Sequence, residues 1–354
     1  MEQLEQLIEE GNLNAIRSLL TDGLDPNAKV GIYNSTLECA FDCRQYEVAK
    51  LFIEHGAEIN DRNNPAIVDA AHGDRALFEY LIQKGSDINA VNRVGHSALS
   101  RALAFDNDSG AIALVELGID IQRLGGKALR DAAWNGNERM VQYLIERGAD
   151  IHYCEPDQVF VAGDTSLLAA TSGNHLKIVE YLLEHGADIS YCNKLGDRAY
   201  HIAKSNQFTQ LADLLKSREP AEYHDYNRKM AELTAAGLPS PILDTLGKEN
   251  RKLEFKGKNC EYLIFRSLYD IKQFSFKDYE VYDLLLELDN YGADGVITWC
   301  PSKQLFISID LEHDTVTLLN DLTWDAFVQD PGTFLDRILE GDYEPEELEI
   351  EDEN

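Results

Sequence analysis

The feature that most constrains the fold of this chain is a glycine that returns about every 33 residues. An apolar pair and a short turn precede each glycine, and an acidic residue lies two positions after it. These glycines are Gly23, Gly56, Gly85, Gly118, Gly148 and Gly186. Their spacings of 33, 29, 33, 30 and 38 residues are typical of a chain that stacks similar structural units.

The residues between these glycines predict two helices in each unit. Small residues such as Ala132-Ala133 mark a first helix that can lie close to its neighbours, and the apolar pair marks a second helix that contributes to a shared core. The first helices begin at hydrophobic anchors, which are Leu37, Ile67, Leu99, Leu129 and Leu167. The glycine can adopt the left-handed backbone conformation that ends a helix. We therefore expect an α-solenoid.

These units resemble ankyrin repeats. The Gly-Ala-Asp end of that family's repeat is intact at residues 148–150 and 186–188, whereas its Thr-Pro-Leu-His start is altered to Thr165-Ser-Leu-Leu168 and Arg198-Ala-Tyr-His201. The resemblance covers about residues 1–218 and implies seven units, the first and last acting as caps that keep an open stack soluble. It also implies surfaces that contact other proteins.

Three departures from the repeat pattern stand out. Residues 154–162 are an insertion between the fifth and sixth units, the third unit has a shortened first helix, and Asp106 occupies a turn where glycine is usual. Loops of such stacks project to one side and commonly contact partners, so the insertion is a candidate binding loop. The alternative is that it is a neutral loop extension.

The composition changes after residue 218. Residues 219–241 read as a helical linker that Gly237 and Pro239 end, and the helical period is then replaced by short strand patterns separated by turns. The candidate strands are residues 261–266, 284–288, 295–299, 304–309 and 315–319. With a final helix over residues 323–339, broken near Pro331, they predict a small α+β domain at residues 242–341 with an antiparallel meander.

The order of elements in residues 225–341 resembles the SUKH superfamily, whose members are known as bacterial immunity proteins against toxins. The matching stretches are residues 238–246, 264–271, 292–299, 306–314, 322–328 and 334–339. The glycine run common in that family is reduced here to Gly292-Ala-Asp-Gly295. This resemblance implies that the chain neutralises a toxin.

The charge of the chain restricts its partners. The formal net charge is −31, and residues 278–354 contain 22 acidic and two basic residues. Nucleic acids and anionic membranes are therefore excluded as expected partners, and a basic protein is favoured. Residues 342–354 read as an acidic tail. The same surface could instead serve only to keep the chain soluble.

No motif for catalysis or metal binding is present in the sequence. Cys39 and Cys43 have no second pair to complete a zinc site, and phosphate-loop, metalloprotease and serine-hydrolase motifs are missing. With no membrane-spanning run or signal peptide, we expect a cytoplasmic protein without a cofactor or metal. A hydrolase or transferase that uses the acids near residues 289–314 is a lesser alternative.

We therefore expect a non-catalytic protein that binds a basic partner, most specifically an immunity protein that blocks a toxin by steric and electrostatic occlusion. A generic ankyrin scaffold is the main alternative, and mimicry of DNA is a minor one. The candidate residues in the repeats, chosen from the inner face and the turns, are Tyr33, Arg101, Asp131, Trp134, Asn135, Tyr153, Phe160 and Tyr191. The candidate acids near the C-terminus are Asp289, Asp294, Asp310, Glu312 and Asp314.

Overall fold

The structure, a computed structural model, describes residues 2–345. The chain divides into two compact units, Met1–Asp188 and Ile189–Asn354. The predicted acidic tail at residues 342–354 therefore lies mostly outside the described residues.

The described part of the first unit is a series of helix pairs. The helices are α1 (Glu2–Glu9), α2 (Leu13–Thr21), α3 (Thr36–Asp42), α4 (Tyr46–Glu54), α5 (Ala66–Asp69), α6 (Arg75–Gln83), α7 (Ala98–Ala104), α8 (Asp108–Glu116), α9 (Ile121–Trp134), α10 (Glu138–Glu146), α11 (Ser166–Ser172) and α12 (Leu176–Glu184). The alanines of the first helices are buried, as their size predicts, and the turn glycines have positive φ. The α-solenoid expected from the glycine period is present in this unit.

The departures from the repeat have local causes. The shortened first helix of the third repeat is α5 followed by a 3-10 turn at Ala70–His72. Asp106 adopts a φ of +55°, so the turn keeps its left-handed conformation without glycine, and Asn174 does the same in the sixth repeat with a φ of +57°. Asp and Asn tolerate this conformation better than most residues.

The first helix of the fifth repeat is longer than the pattern predicts. Helix α9 has 14 residues, whereas α3, α7 and α11 have seven each. Two glycines inside it, Gly125 and Gly126, leave room for Ala149 and Tyr153 to approach the helix closely. This close approach places the start of the insertion directly against α9.

The second unit begins with a further helix pair and continues into the α+β region. Its helices are α13 (Ala199–Ser205), α14 (Thr209–Arg218), α15 (Tyr226–Ala235), α16 (Ser240–Leu246), α17 (Trp324–Gln329) and α18 (Pro331–Leu339), with a 3-10 turn at Ala221–His224. The interruption of the last helix at Pro331 agrees with the sequence prediction.

The strands form two antiparallel sheets where the sequence predicts one meander. The strands are β1 (Lys252–Glu254), β2 (Tyr262–Phe265), β3 (Lys272–Phe276), β4 (Tyr279–Asp283), β5 (Leu285–Leu288), β6 (Thr298–Cys300), β7 (Leu305–Asp310) and β8 (Thr315–Leu319). One sheet has the order β1-β2-β5 and the other β3-β4-β6-β7-β8. The predicted meander is therefore confined to β6-β7-β8, since the chain crosses to the other sheet at β5.

Two apolar clusters form the core of this region. The larger one lies between helices and strands and includes Trp299, Phe306, Trp324 and Phe327. The smaller one draws on alternate residues of the five-stranded sheet, such as Phe274, Val281 and Ile307. Strands β1, β3 and β4 were not predicted from the sequence. Charged and aromatic residues are mixed there without a long apolar run, in Lys252–Glu254 and in residues 272–283.

Candidate binding surfaces of the repeats

The first helices of repeats two to four enclose a small acidic notch, which we define by Glu38, Asp42 and Asp69. These carboxylates line a cavity of about 50 Å³ together with Tyr33, His72, Arg101 and Phe105. Glu38 and Asp42 are one turn apart on α3, and Asp69 ends α5. The predicted residues Tyr33 and Arg101 thus meet in one place.

The hydrogen bonds of the notch hold two of its carboxylates in position. The Tyr33 hydroxyl donates to Asp42 Oδ2 over 2.8 Å, which raises the pKa of Tyr33. The backbone N–H of Asn34 donates to Glu38 Oε2 over 2.7 Å. Among residues 2–345, no salt bridge connects Arg101 to Glu38, Asp42 or Asp69. The Arg101 Nε atom is buried without a hydrogen-bond partner.

Asp69 is the carboxyl of the notch with a raised pKa. Burial, followed by the neighbouring Glu38 carboxylate, raises the pKa of Asp69 from its ordinary value of 3.8 to about 7, against the opposing effect of Arg101. A carboxyl shifted in this direction lacks a sufficient counter-charge. The notch can therefore gain stability from a cationic group that a partner supplies.

An aromatic edge borders the notch. The rings of His72 and Phe105 stack with their centroids 3.9 Å apart, and the Arg101 guanidinium lies 5.2 Å from the Phe105 centroid. Burial is the main cause that lowers the pKa of His72. At neutral pH this edge contributes a neutral imidazole and the Arg101 charge.

A second candidate surface is built by the insertion. Asp157 anchors the loop because its Oδ1 accepts the backbone N–H groups of Val159 and Phe160 at 2.9 and 2.8 Å. Its Oδ2 accepts from Lys127 Nζ and, over 2.7 Å, from Arg130 Nη2. These hydrogen bonds outweigh the opposing effect of burial and lower the pKa of Asp157.

Arg130 is the centre of this anchor. Its side chain is 0% exposed, and its Nη1 donates to the carbonyl oxygens of Glu155 and Asp164 at 2.8 and 3.1 Å. The guanidinium lies 4.9 Å from the Tyr153 ring centroid and 4.5 Å from that of Phe160. Such a fully enclosed, multiply bonded arginine gives the insertion a defined conformation.

Phe160 corrects one expectation. The sequence places it in a turn, where side chains tend to be exposed, but it is only 5% exposed. Its ring packs on Arg130 and meets the edge of Trp134 with the centroids 5.6 Å apart. The loop residues that point to solvent are instead Val159 and Val161, at 67% and 68% exposure.

The other predicted residues of the fifth repeat lie around this loop. Trp134 is 43% exposed, and Asn135 is exposed as the residue that ends α9. Asp131 is less available, since it lies 3.5 Å from Lys127 Nζ and burial raises its pKa. Tyr153 is half-buried beside Arg130. Tyr191, also half-buried, belongs to the second unit.

The predicted acids of the second unit are mostly engaged within the chain. Asp294 Oδ1 accepts from Arg266 over 2.7 Å and from Lys272 over 2.9 Å. Asp310 contacts His313 over 2.8 Å, and Asp314 lies 3.4 Å from Lys277. These three acids therefore present less net charge than the sequence implies.

The remaining two acids differ in their surroundings. Asp289 Oδ2 accepts the Glu261 N–H over 3.0 Å, and Glu312 is exposed on the β7–β8 turn. Glu312, Asp294 and Asp310 line an open groove of about 640 Å³. The structure thus brings three of the five predicted acids together at one groove.

Arg266 and Lys272 belong to a buried ionic cluster. Arg266 is 1% exposed and contacts Asp283 over 3.0 Å, while Lys272 contacts Asp197 over 2.8 Å. Burial raises the pKa of Asp283 to about 6 despite Arg266. Asp197 precedes α13, so this cluster connects the last helix pair to the sheet within the second unit.

The sequence analysis named residues 154–162 as a candidate binding loop but missed the other residues that build the two surfaces of the first unit. They are Glu38, Asp42, Asp69, His72, Phe105, Lys127 and Arg130. A lysine and an arginine on one helix face, with a new aspartate in the insertion, are a sequence signal for the anchor. The notch has no such signal, because its acids come from separate repeats.

The described residues contain neither a candidate metal centre nor a membrane-spanning helix. Residues 2–345 contain no group of three or more His, Cys, Asp or Glu placed to hold a metal ion. In the same part of the chain, no helix has the length and apolar character needed to cross a membrane.

Comparisons with known proteins agree with the helix pairs. Models of ankyrin repeats match residues 66–154, 129–183 and 167–215. The ankyrin repeat protein YahD of Escherichia coli (strain K12) is 24% identical over 161 residues, which cover 41% of this chain and 78% of YahD.

A solved structure shows the same fold. The crystal structure of the human ASB11 ankyrin repeat domain superimposes with a TM-score of 0.51 at 22% sequence identity, over 62% of this chain and 99% of that domain. The family models thus identify ankyrin repeats within residues 66–215, and the superposition shows the same fold.

Proposed function

We propose that this protein binds a basic protein partner and does so without catalysis. Ankyrin repeats imply a protein-binding role and are generally non-catalytic interaction scaffolds. The observation that supports a basic partner is the acidic notch, where Glu38, Asp42 and Asp69 lie together and the pKa of Asp69 is raised to about 7. A lysine or arginine of the partner would supply the missing counter-charge.

The more specific form of the proposal is an immunity protein. The resemblance of residues 225–341 to the SUKH superfamily supports this reading, as does the net charge of −31. In this form the protein covers the active surface of a basic toxin and repels or replaces its anionic substrate. A generic scaffold role differs from it only in the partner, which would then not be toxic.

Affinity capture from the source cell tests the basic partner. The wild-type chain and the variant Glu38→Gln/Asp42→Asn are each immobilised and washed at about 50 and about 500 mM salt, with bound proteins identified by mass spectrometry. We expect one basic protein that the wild type retains at low salt, that high salt removes, and that the variant retains less well. A partner retained equally by both chains would contradict the assignment to the notch.

Co-expression then separates the immunity role from the scaffold role. The captured protein is expressed in a test strain with and without this chain, at matched levels. Growth inhibition that the wild-type chain relieves, and that the notch variant relieves less well, supports neutralisation. A harmless partner that forms a stable complex supports the scaffold role.

A further inference from the structure

The insertion exposes two aliphatic side chains to solvent, although hydrogen bonds to Asp157 and Arg130 anchor the loop that carries them. Val159 and Val161 are 67% and 68% exposed, and Trp134 is 43% exposed. We call these three residues the insertion patch: the two valines flank Phe160 in the sequence, and the Phe160 ring meets Trp134. Single exposed apolar residues are ordinary on a protein surface, but a grouped set on a fixed loop marks an interaction site.

The anchor beneath the patch is more elaborate than a loop extension requires. Burying the Arg130 charge is costly unless hydrogen bonds and a counter-ion compensate for it. Here the Asp157 carboxylate is the counter-ion and the backbone carbonyl oxygens of Glu155 and Asp164 accept from Nη1, while Nε is buried without a partner among the described residues. The arrangement holds Val159 and Val161 on either side of the buried Phe160. A loop fixed in this way loses little conformational entropy when a partner binds.

Trp134 is also held in place. Its indole ring packs against the edge of Phe160, and its carbonyl oxygen accepts a hydrogen bond from His175 Nε2 over 2.9 Å. Tryptophan side chains that combine fixed position with partial exposure are the residues most often found at the energetic centre of protein interfaces. The patch therefore has the composition of a binding hot spot.

The charge around the patch indicates what binds there. Residues 151–164 contain Glu155, Asp157 and Asp164 and no Lys or Arg. The two cations that reach the loop, Lys127 and Arg130, are buried and bonded to Asp157. Asp157 is therefore paired inside the loop, and the exposed carboxylate beside the patch is that of Glu155. A segment with apolar side chains flanked by Lys or Arg complements this negative charge.

We propose that the insertion patch is a docking site for an apolar side chain on a basic segment of a protein. This inference rests on the proposed function, since it assigns a second contact to the same basic partner. Trp134, Val159 and Val161 contact the apolar side chain, and the exposed Glu155 carboxylate contacts a flanking cation. Arg130 is a positioning residue that acts through the loop.

The test uses a phage-displayed library of random 12-residue peptides as the probe. The full-length wild-type chain selects binders, with counter-selection against the variant Val159→Ser/Val161→Ser. Both substitutions lie at exposed positions, so the fold is retained, which circular dichroism checks. We expect enriched peptides that combine an apolar residue with Lys or Arg. Enrichment of acidic peptides, or no difference between the two chains, would overturn the inference.

Fluorescence anisotropy of the enriched peptides then measures each contribution. We expect Trp134→Ala and Val159→Ser/Val161→Ser each to weaken binding at least tenfold. The matched control is Ile32→Ser, which removes an aliphatic side chain that is 89% exposed elsewhere in the repeats and should leave affinity unchanged. An equal loss with Ile32→Ser would show nonspecific apolar binding and refute the patch.

Variants of the anchor and of the notch complete the design. Arg130→Met should weaken peptide binding and increase hydrogen exchange of residues 155–163, since it frees the loop without altering the patch side chains. Peptides that ignore the patch variants but are lost with Glu38→Gln/Asp42→Asn would overturn this inference and support the proposed function. Peptides that need the patch but not the notch would support this inference, and the affinity capture described above tests the notch separately.

Discussion

The two units of this molecule differ in whether their carboxylates are paired with cations. In the second unit, Asp283 and Asp294 are bonded directly to Arg266, so the charges are compensated inside the fold. In the repeats, Glu38 and Asp69 share a cavity with Arg101 but form no salt bridge with it among the described residues. A buried ion pair serves the fold, whereas an uncompensated acidic notch is available to a partner. Counting acids in a sequence cannot distinguish the two cases.

The largest effect is expected from breaking the compensated cluster. Arg266→Leu leaves the fully buried Asp283 without its partner and should lower the free energy of unfolding by about 3–5 kcal/mol. Urea unfolding followed by the fluorescence of Trp299 and Trp324, both buried in this unit, measures the change. The double variant Arg266→Leu/Asp283→Leu should recover much of the loss. A single variant with stability close to that of the wild type would show that the pair is not structural.

A smaller loss is expected in the repeats, from the close approach that supports the insertion. Gly126→Ala adds a Cβ atom that would overlap with Tyr153, so stability should fall by about 1–3 kcal/mol. Thermal unfolding measures it. Gly292→Ala is the control, because nothing lies within 4 Å of the added Cβ there. A neutral Gly126→Ala would mean that Tyr153 moves away easily.

A substitution in the notch should raise the stability of the chain, in contrast to the two destabilising variants above. The folded-state pKa of Asp69 is about 7 against an ordinary value of 3.8, so the folded chain binds this proton more tightly than the unfolded chain does. Stability should therefore fall as pH rises from about 4 to about 7. Asp69→Asn removes this dependence and should stabilise the chain by roughly 1 kcal/mol at pH 7.5, after allowance for solvent screening, and not at pH 4.

Urea unfolding at pH 4, 5.5 and 7.5 tests this pH dependence. Other ionisable groups, including His72, lie nearby and are common to both proteins, so the difference between the wild type and Asp69→Asn is the relevant quantity. Glu184→Gln, which removes one exposed carboxylate from another repeat, controls for the change in net charge. A difference that stays constant with pH would contradict the raised pKa of Asp69.

The smallest effect is expected at the surface of the second unit. Asp314 is paired with Lys277 but is exposed, so Asp314→Asn should change stability by less than about 0.5 kcal/mol. Its backbone has a φ of +54°, which Asn also tolerates. Thermal unfolding provides the measurement. A larger loss would show that the Asp314–Lys277 ion pair stabilises the fold despite its exposure.

The sequence allowed the repeat fold to be predicted because each repeat is local. Each repeat has a hydrophobic anchor, an alanine-rich first helix and a glycine after the second helix, all within about 33 residues. Leu129 and Gly148 can therefore be assigned to the same repeat from the sequence. The single meander expected near the C-terminus was wrong in part. Strand β5 pairs with β2 and β4 pairs with β6, and such long-range pairing leaves no mark on a short stretch of sequence.

The amino-acid sequence by itself determined the solenoid of helix pairs, the strong negative charge and the position of the insertion, since each depends on residue type or short spacing. Only the tertiary structure decided which side chains are available to a partner. Phe160 is buried and Val159 is exposed because Arg130, which lies 30 residues before Phe160 in the chain, fixes the loop that contains them. Availability depends on contacts between distant residues, and those contacts exist only once the chain has folded.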